Sequence, residues 1–431
     1  MIDWNQIPEQ KHLIERLDRS NRLATRWHTF LLVGSVVLAF LIDWQWVADE
    51  PIYSLVVLML VPSQFLPSVI ITLMKKKKRV EELSEAFRAG EFTKPMLLTV
   101  IRETAQTLGV DTRRVPFYLT RDKDLNAYAV SVGLSRLLPS IRGVYINRQT
   151  LHVSSPAGLK ATIGHELGHL FPYELKWHGG WLVKLCFGGL LALFALQKIG
   201  APSAFGLIGA TAAAWGFLFL DGIPRKQMSQ SIEFLCDGLG AKASGIEAAI
   251  SDLLNFGNEC QAQYELSIAA LKLASQGKAI NDMEAMKIYE ESLGYGPTDV
   301  DSTMARIHEA MAKEKVAKKD LSIDGLVEFM WKGNVADSNL AEARDRLILL
   351  FEQLDQSPQI QWKEISNWHP DQVLEESRIS RLVQELLDHP EKLLFVLPTE
   401  PLENTDLSHP SFRTRILYLW KNRREIETLR I

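Results

Sequence analysis

Apolar residues are concentrated in four long runs separated by polar stretches. No residue of Phe30–Ile42 is charged, and the apolar character continues to Val47. The second run, Ile52–Met74, is also free of charge, although two prolines and a glutamine interrupt it. Each run is close to the roughly 20 residues with which a helix crosses a bilayer. The two runs therefore predict a first transmembrane hairpin, with a pair of buried core helices as the alternative.

Two further apolar runs, Trp181–Gln197 and Ala201–Leu220, lie in the middle of the chain. The later run is uncharged, whereas the earlier one contains Lys184 near its start. Small residues recur every four positions in the later run, which is the spacing found where membrane helices pack closely. We expect a second hairpin and about four transmembrane helices in all; a buried helical pair in a soluble core is the alternative. The small residues are Gly206, Ala210 and Ala214.

The basic residues that flank the first hairpin predict its orientation. No Lys or Arg occurs between Arg26 and Lys75, and the basic run Lys75–Arg79 follows the second apolar segment directly. Basic residues favour the cytoplasmic side of a membrane, so both ends of the hairpin are predicted to be cytoplasmic. The basic run is interpreted as a topology anchor and not as a nucleic-acid patch.

Composition argues against several other classes of protein. The chain has 48 basic and 52 acidic residues and a net charge of -4, so its overall charge does not indicate a nucleic-acid partner. Its three cysteines, Cys186, Cys236 and Cys260, are scattered and odd in number. They argue for a reducing compartment and against a disulfide framework or a thiolate zinc site.

Between and beyond the apolar runs the pattern is mainly helical. Residues 80–115 and Leu159–Phe171 have helical spacing, and the chain after Met228 is helical in pattern to its end. The predicted fold is therefore α+β and mainly α-helical, with a small sheet to whose edge an extended peptide could add. The predicted strands lie within Val115–Thr120, Asn126–Val132 and Gly143–Asn147.

The most specific motif is His165-Glu166-Leu167-Gly168-His169, on one of the predicted helices. Residues four apart lie on the same face of a helix, so both imidazoles can bind one metal ion. Glu166 lies beside that ion, where it can take a proton from an attacking water. The motif predicts a zinc peptidase; two ordinary histidines on a helix are the alternative.

A catalytic zinc ion usually has three protein ligands and an open position, so two histidines leave one ligand to be found. No Gly precedes His178 after the motif, which excludes the arrangement in which a third histidine follows a glycine. A helix after the second hairpin offers Glu233, with Asp237 one turn later, placed to accept the second N–H of a ligand histidine. Glu174 is closer in sequence but follows the helix-breaking Pro172. On spacing alone, Glu233 could equally be an exposed carboxylate on a polar helix face.

Four features of the chain occur in the order found in one family. They are Asn126-Ala127-Tyr128-Ala129, the motif at His165, Glu233 with Asp237, and Ser408-His409-Pro410 followed by Arg415-Ile416. In this ordered set the chain resembles the HtpX-like membrane zinc metallopeptidases, which are relatives of the CAAX prenyl endopeptidases. The membrane hairpin between the motif and the Glu233 helix also matches. The resemblance covers residues 30–245 and 405–420.

The resemblance implies a gluzincin-type metalloprotease core with one zinc ion per chain. It implies that Glu233 is the third zinc ligand beside His165 and His169, and that Glu166 is the general base. It also implies that one strand binds substrate and that donors near the C-terminus steady the oxyanion of the tetrahedral intermediate. For those donors, a helix start and a surface charge are the alternatives. The implied substrate-binding residues are Asn126, Ala127 and Tyr128, and the implied C-terminal catalytic residues are His409 and Arg415.

Three positions near Glu233 depart from the family pattern. The family has arginines just before the third-ligand Glu and a small Ala before the Asp, whereas this chain has Gln230, Ile232 and Cys236. The charge network around Glu233 is therefore expected to differ, and Cys236 is expected to pack as a small apolar residue. Neither change removes a ligand or the base, so an active enzyme is expected.

These patterns divide the chain into five segments and predict an integral membrane zinc endopeptidase that cleaves membrane or membrane-proximal proteins. The resemblance implies a role in protein quality control. The expected location is the bacterial inner (plasma) membrane, and the orientation of the first hairpin predicts a cytoplasmic catalytic domain. A catalytically silent membrane scaffold and a prenyl-protein processing protease are the alternatives. Neither the physiological substrate nor the oligomeric state follows from the sequence. The segments are 1–80 with the first hairpin, 81–178 with the protease core, 179–222 with the second hairpin, 223–265 with the third-ligand helix, and 266–431 with the helical C-terminal region.

Overall fold

Most of the described chain is helical, and one small sheet lies beside the helix that carries the motif. The computed structural model describes residues 4–60, 76–120, 127–130, 143–178, 180–199, 204–276, 281–294, 340–369, 372–398 and 409–429. The predicted class, α+β and mainly α-helical, is confirmed. The helices are α1 (Gln10–Leu41), α2 (Trp44–Asp49), α3 (Pro51–Leu60), α4 (Lys94–Thr107), α5 (Thr150–Val153), α6 (Pro156–Leu170), α7 (Trp181–Ile199), α8 (Ala204–Ser244), α9 (Ile246–Ser275), α10 (Asp282–Leu293), α11 (Leu340–Asp355), α12 (Trp362–Ser366), α13 (Glu376–Asp388), α14 (Phe412–Lys421) and α15 (Arg423–Thr428).

Three helical stretches among the described residues are long and apolar enough to cross a membrane. They are Trp4–Leu41, Leu182–Ile199 and Phe205–Ser244, and they cover most of the first, third and fourth apolar runs of the sequence. The second run begins in α3, but residues 61–75 lie outside the described part of the chain. The predicted total of four spans is therefore approximate, and the three described stretches indicate a membrane protein.

Helices α1 and α8 each continue from an exposed apolar segment into the interior of the protein. On α1, Leu13 and Leu17 lie in the main hydrophobic core, whereas Phe30 and Phe40 are 58% and 85% exposed. Helix α8 has 41 residues, which makes it about 60 Å long. It exposes large apolar side chains such as Phe205 near its start, and its last part packs in the main core. Two helices therefore link the membrane-type surface directly to the core around the motif.

A buried ion pair joins α7 to α8 at the end of their apolar segments. Lys184 Nζ lies 2.9 Å from Asp221 Oδ2, and both side chains are buried. Lys184 also donates to the backbone carbonyl of Trp177, and the indole N–H of Trp27 on α1 donates to Asp221 Oδ1 at 3.1 Å. The pair and its hydrogen bonds therefore tie three helices together.

Lys184→Met is expected to lower the free energy of unfolding by about 3 to 5 kcal/mol, because it leaves the Asp221 carboxylate buried with one cation fewer. Replacing both residues, Lys184→Met with Asp221→Leu, is expected to recover most of that loss, since no unpaired charge then remains. Chemical denaturation in detergent micelles measures both effects. Lys198→Met, at the exposed other end of α7, is the matched control. An equal loss in the two single lysine variants would contradict this account.

Six short strands are described: β1 (Lys77–Arg79), β2 (Arg88–Ala89), β3 (Phe92–Thr93), β4 (Phe117–Thr120), β5 (Ala127–Val130) and β6 (Gly143–Asn147). Four of them form one sheet in the order β1-β4-β6-β5, so β5 lies at an edge. β4 and β6 run parallel, and β5 is antiparallel to β6. These three strands correspond to the three that the sequence predicts, although both ends of the predicted middle strand lie outside the described residues.

Two parts of the sequence prediction differ from the structure. The helix predicted over 80–115 is wrong outside α4, because Gly90 turns the chain between β2 and β3 with a φ of 55°. Helix α4 begins only at Lys94, with Pro95 in its first turn. The end of the basic run, predicted only as an anchor, forms β1. Its Lys77 pairs in register with Thr120, so this part of the run belongs to the sheet beside the motif helix.

Candidate metal centre and active site

Close packing of α6 against α8 places the motif beside Glu233. A side chain at Gly164 would put its Cβ 2.9 Å from the Cα of Gly240, and one at Gly168 would put its Cβ 2.9 Å from Cys236 Sγ. Any larger residue at these two positions would push the helices apart, so the glycines permit the approach. Cys236 is fully buried in this contact and packs as a small apolar residue, as its replacement of the family's Ala leads one to expect.

Three side chains that the sequence proposes as zinc ligands converge at this contact. His165 Nε2 and His169 Nε2 are 3.2 Å apart. Glu233 Oε2 lies 3.3 Å from His165 Nε2, and Glu233 Oε1 lies 3.5 Å from His169 Nε2. Four ligand atoms at about 2.05 Å from a tetrahedral centre lie about 3.3 Å from one another. The spacing and the donor set of two imidazoles and one carboxylate therefore fit a zinc ion.

Asp237 and Arg415 lie behind His165, on the side away from the ligand atoms. His165 Nδ1 lies 2.8 Å from Asp237 Oδ1, which leaves its Nε2 facing the ligand cluster. Arg415 donates from Nε to Asp237 Oδ2 at 2.7 Å and from Nη2 to Oδ1 at 2.5 Å. This two-pronged contact holds the carboxylate in one orientation, and the carboxylate in turn orients the imidazole. The contact makes Arg415 a support for His165, whereas the resemblance implied an oxyanion donor.

His409 reaches the ligand cluster from the C-terminal region. Its Nδ1 lies 2.9 Å from Glu233 Oε2, and its side chain is 66% exposed. The resemblance implied a return of this residue to the active site as an oxyanion donor, and the structure places it against the proposed third ligand. In that position it can hold one oxygen of Glu233 and face solvent at the same time.

Glu166 lies next to the edge strand β5. It is buried, and its carboxylate accepts a hydrogen bond from the backbone of Ala129. Burial raises the pKa of Glu166 to about 7, although His165, Ala129 and Arg415 oppose that shift. A carboxyl with a pKa near neutrality is suited to accept and return a proton.

The pKa values of the two motif histidines are shifted in opposite directions. Burial lowers the pKa of His169 to about 4, helped by the neighbouring His165, so this imidazole is neutral and ready to bind a metal. Burial also lowers the pKa of His165, but hydrogen bonds with Asp237 and Glu233 outweigh it and raise the pKa to about 10. A metal ion that binds here must therefore displace a proton from His165.

Ala127 and Tyr128, the proposed substrate-binding residues that the structure describes, both lie on β5, and Asn126 lies outside the described residues. Tyr128 pairs in register with Tyr145 on β6, and their rings stack with centroids 5.1 Å apart. β5 pairs with β6 on one side and is the edge strand of the described sheet. The backbone of β5 contacts Glu166 at Ala129. An extended peptide on this edge would lie beside the proposed base.

The sequence reading did not find the glycines that bring α6 to α8, or Ala129 as a backbone partner of Glu166. A signal for the glycines was present, because Gly164 and Gly168 are four residues apart and recur on one face of the motif helix. Ala129 belongs to the Asn126–Ala129 motif of the resemblance, but nothing in the sequence indicated its hydrogen bond to Glu166, since that bond comes from the backbone and not from the side chain.

Asp237→Asn is expected to weaken zinc binding by about 10- to 100-fold, because the amide can no longer orient His165 as a charged partner. Competition with a coloured zinc chelator measures the affinity. Asp355→Asn, an exposed carboxylate on α11, is the matched control. If Asp237→Asn bound zinc as tightly as the wild type, Asp237 would have no part in holding the ligand.

Comparison with known proteins bears on the region that contains this site. No curated protein and no solved structure matches the chain. The model for peptidase family M48 matches residues 92–254, which include α4, the sheet strands β4 to β6, and the helices that carry His165 and Glu233. Protease activity and dependence on a metal, usually zinc, are typical of this family. The chain therefore carries a peptidase family M48 domain, of the family that includes the HtpX and CAAX protease relatives.

Proposed function

We propose that this chain is a membrane-bound zinc endopeptidase that cleaves membrane or membrane-proximal proteins. The observation that carries the proposal is the convergence of His165, His169 and Glu233, with ligand atoms 3.2 to 3.5 Å apart, beside the buried carboxyl of Glu166. The M48 family match over the same residues supports it. Each chain would hold one zinc ion.

The chemistry is divided among groups of this chain. Zinc, when bound by the two histidines and Glu233, would supply a Lewis acid that polarises the scissile carbonyl and activates water. Glu166 takes the proton of the attacking water and gives it to the nitrogen of the leaving amine. Asp237 and Arg415 hold His165 in its ligand orientation, and His409 holds Glu233. The edge of β5 binds the substrate backbone in extended form beside Glu166.

The apolar helices support action at a membrane surface. α8 carries both an exposed apolar segment and the proposed third ligand, so the site lies close to the membrane if that segment is inserted. The basic residues Lys75–Arg79 favour the cytoplasmic side, and we propose the bacterial inner (plasma) membrane with a cytoplasmic catalytic domain. Unfolded membrane proteins are the proposed substrates, in keeping with a role in quality control.

Metal removal tests this function directly. We expect the purified full-length chain to cleave an unfolded membrane protein, to lose at least nine-tenths of that activity in 1,10-phenanthroline, and to regain it when zinc is added back. Gel electrophoresis of the products measures the cleavage. A non-chelating isomer of phenanthroline is the matched control. Cleavage that continues in the chelator would contradict the metal-dependent mechanism. A zinc-loaded chain without activity would favour a catalytically silent scaffold.

A further inference from the structure

A groove with a volume of about 740 Å³ lies between α1 and α8, and none of the three proposed zinc ligands lines it. Its walls come from α1, from the turn at Trp177, and from the stretch of α8 that begins at Pro224. Three arginines of α1 line it, and none of the described side chains that line it is acidic. The arginines are Arg16, Arg19 and Arg26.

The groove lies at the border between two kinds of surface. On α1, Phe30 lines the groove, and large apolar side chains are exposed from there to the end of the helix. On α8, the exposed apolar side chains end with Phe219, Leu220 and Ile223, directly before the groove residue Pro224. One end of the groove therefore meets the lipid-facing surface, and the other end meets the water-facing surface.

The arginines are available to a ligand. All three are exposed, and none forms an ion pair with another described residue. Arg16 makes one hydrogen bond, from Nη2 to the backbone carbonyl of Gln227 at 3.2 Å. A guanidinium group offers several donors in a planar fork that matches a phosphate group. The groove therefore concentrates unneutralised positive charge of the kind that binds phosphate.

Two tryptophans in the wall are already held in place. Trp27 donates its indole N–H to Asp221 Oδ1 at 3.1 Å, and Trp177 donates to Ser20 Oγ at 3.0 Å. Trp27 also stacks on Phe30, with ring centroids 5.4 Å apart. Tryptophan is enriched at the level of lipid headgroups because its ring is apolar and its N–H is polar. The groove thus has rigid aromatic walls at the depth where a headgroup lies.

We propose that this groove binds an anionic phospholipid of the phosphatidylglycerol class, with its phosphate on Arg16, Arg19 and Arg26 and its acyl chains along Phe30 and the exposed apolar side chains beyond. Continuity with the lipid-facing surface favours a lipid over a free phosphate or an acidic protein segment. The inference rests on the proposed insertion of α1 and α8 in a membrane. It does not depend on peptidase activity.

The test measures retained lipid on the full-length protein, purified in an uncharged detergent, by native mass spectrometry. We expect the wild type to retain phosphatidylglycerol in preference to phosphatidylcholine. Replacing the three arginines (R16Q, R19Q and R26Q together) should weaken phosphatidylglycerol binding about a hundredfold, since one basic residue near an anionic lipid surface contributes about fivefold. The matched control removes three exposed arginines outside the groove (R22Q, R102Q and R381Q together) and should bind as the wild type does.

A second variant tests the charge of the groove with little risk to folding. Gln227→Glu puts a negative charge on the exposed wall and should lower retention of phosphatidylglycerol while leaving that of phosphatidylcholine unchanged. Equal retention of the two lipids, or unchanged retention in the triple groove variant, would overturn the proposal. Displacement of the lipid by soluble glycerol phosphate would overturn it in favour of a phosphate site.

Discussion

Glu166→Gln should lower the rate of peptide cleavage by about 10²- to 10⁴-fold and leave zinc binding intact. The reason is that the amide keeps the size of the side chain but cannot accept the proton of the attacking water, and general base catalysis typically contributes a factor of this size. Glu166 is not among the three residues that offer ligand atoms, so the metal should still bind. Kinetics on a fluorogenic peptide and zinc analysis of the same preparation measure both quantities.

The matched control for Glu166→Gln is Glu174→Gln, which removes an exposed carboxyl a few residues beyond the motif. It should cleave at the rate of the wild type. Equal rates for Glu166→Gln and the wild type would show that another group takes the proton. A loss of zinc together with the loss of rate would instead make Glu166 part of the metal centre and not its base.

Glu233→Gln should remove zinc from the purified protein and abolish cleavage with it. The histidines alone offer two ligands, and a catalytic zinc ion needs three from the protein. The loss of affinity should therefore exceed the roughly 10- to 100-fold cost of losing an outer partner such as Asp237. Inductively coupled plasma mass spectrometry gives the zinc content per chain, and thermal unfolding shows whether the variant is folded.

Glu174 is also the competitor of Glu233 for the role of third ligand, because it is the closer carboxylate in sequence. Its side chain is exposed, whereas that of Glu233 is buried against both histidines. Glu174→Gln should therefore keep one zinc ion per chain. The opposite result, with zinc lost in Glu174→Gln and kept in Glu233→Gln, would show that Glu174 and not Glu233 is the third ligand.

What the sequence predicted well about the site is local. His165 and His169 are one helical turn apart, so helix geometry alone brings them to one face. Glu233 is different, because its approach to that face depends on the packing of α6 on α8, where Gly164 and Gly168 meet residues that lie far along the chain. The ordered resemblance predicted the residue, but residue spacing could not predict its position.

The C-terminal part of the site shows where sequence reasoning fails. Asp237 and Arg415 are 178 residues apart, and their pairing depends on how α14 packs against α8 in the folded core. A lone arginine in a polar helix pattern does not reveal its partner. The resemblance therefore led to the expectation of an oxyanion donor, whereas in the structure Arg415 holds Asp237 behind His165.

The fold shows the same division between local and long-range information. Long apolar runs predicted the membrane-type helices because hydrophobic length is a local property. The helix predicted over 80–115 was too long because a two-stranded hairpin and a proline interrupt it, and short hairpins leave little periodic signal. The strand β1 was missed because its residues are basic, and its pairing with β4 comes from tertiary contacts.

Helix α8 connects its exposed apolar segment to Glu233 through Pro224, so insertion of that segment in a bilayer would couple the bilayer to the site. Glu233 lies about 20 Å beyond Leu220, near the end of the exposed apolar segment, along a single helix. A helix tilts when the thickness of the surrounding hydrocarbon changes. A tilt of about 10° over that lever would shift the carboxylate by about 3 Å, which is comparable to the spacing between the ligand atoms. In the proposed membrane-inserted state, the glycine contact between α6 and α8 would have to move the motif together with Glu233, and bilayer thickness would act on the alignment of the proposed metal centre.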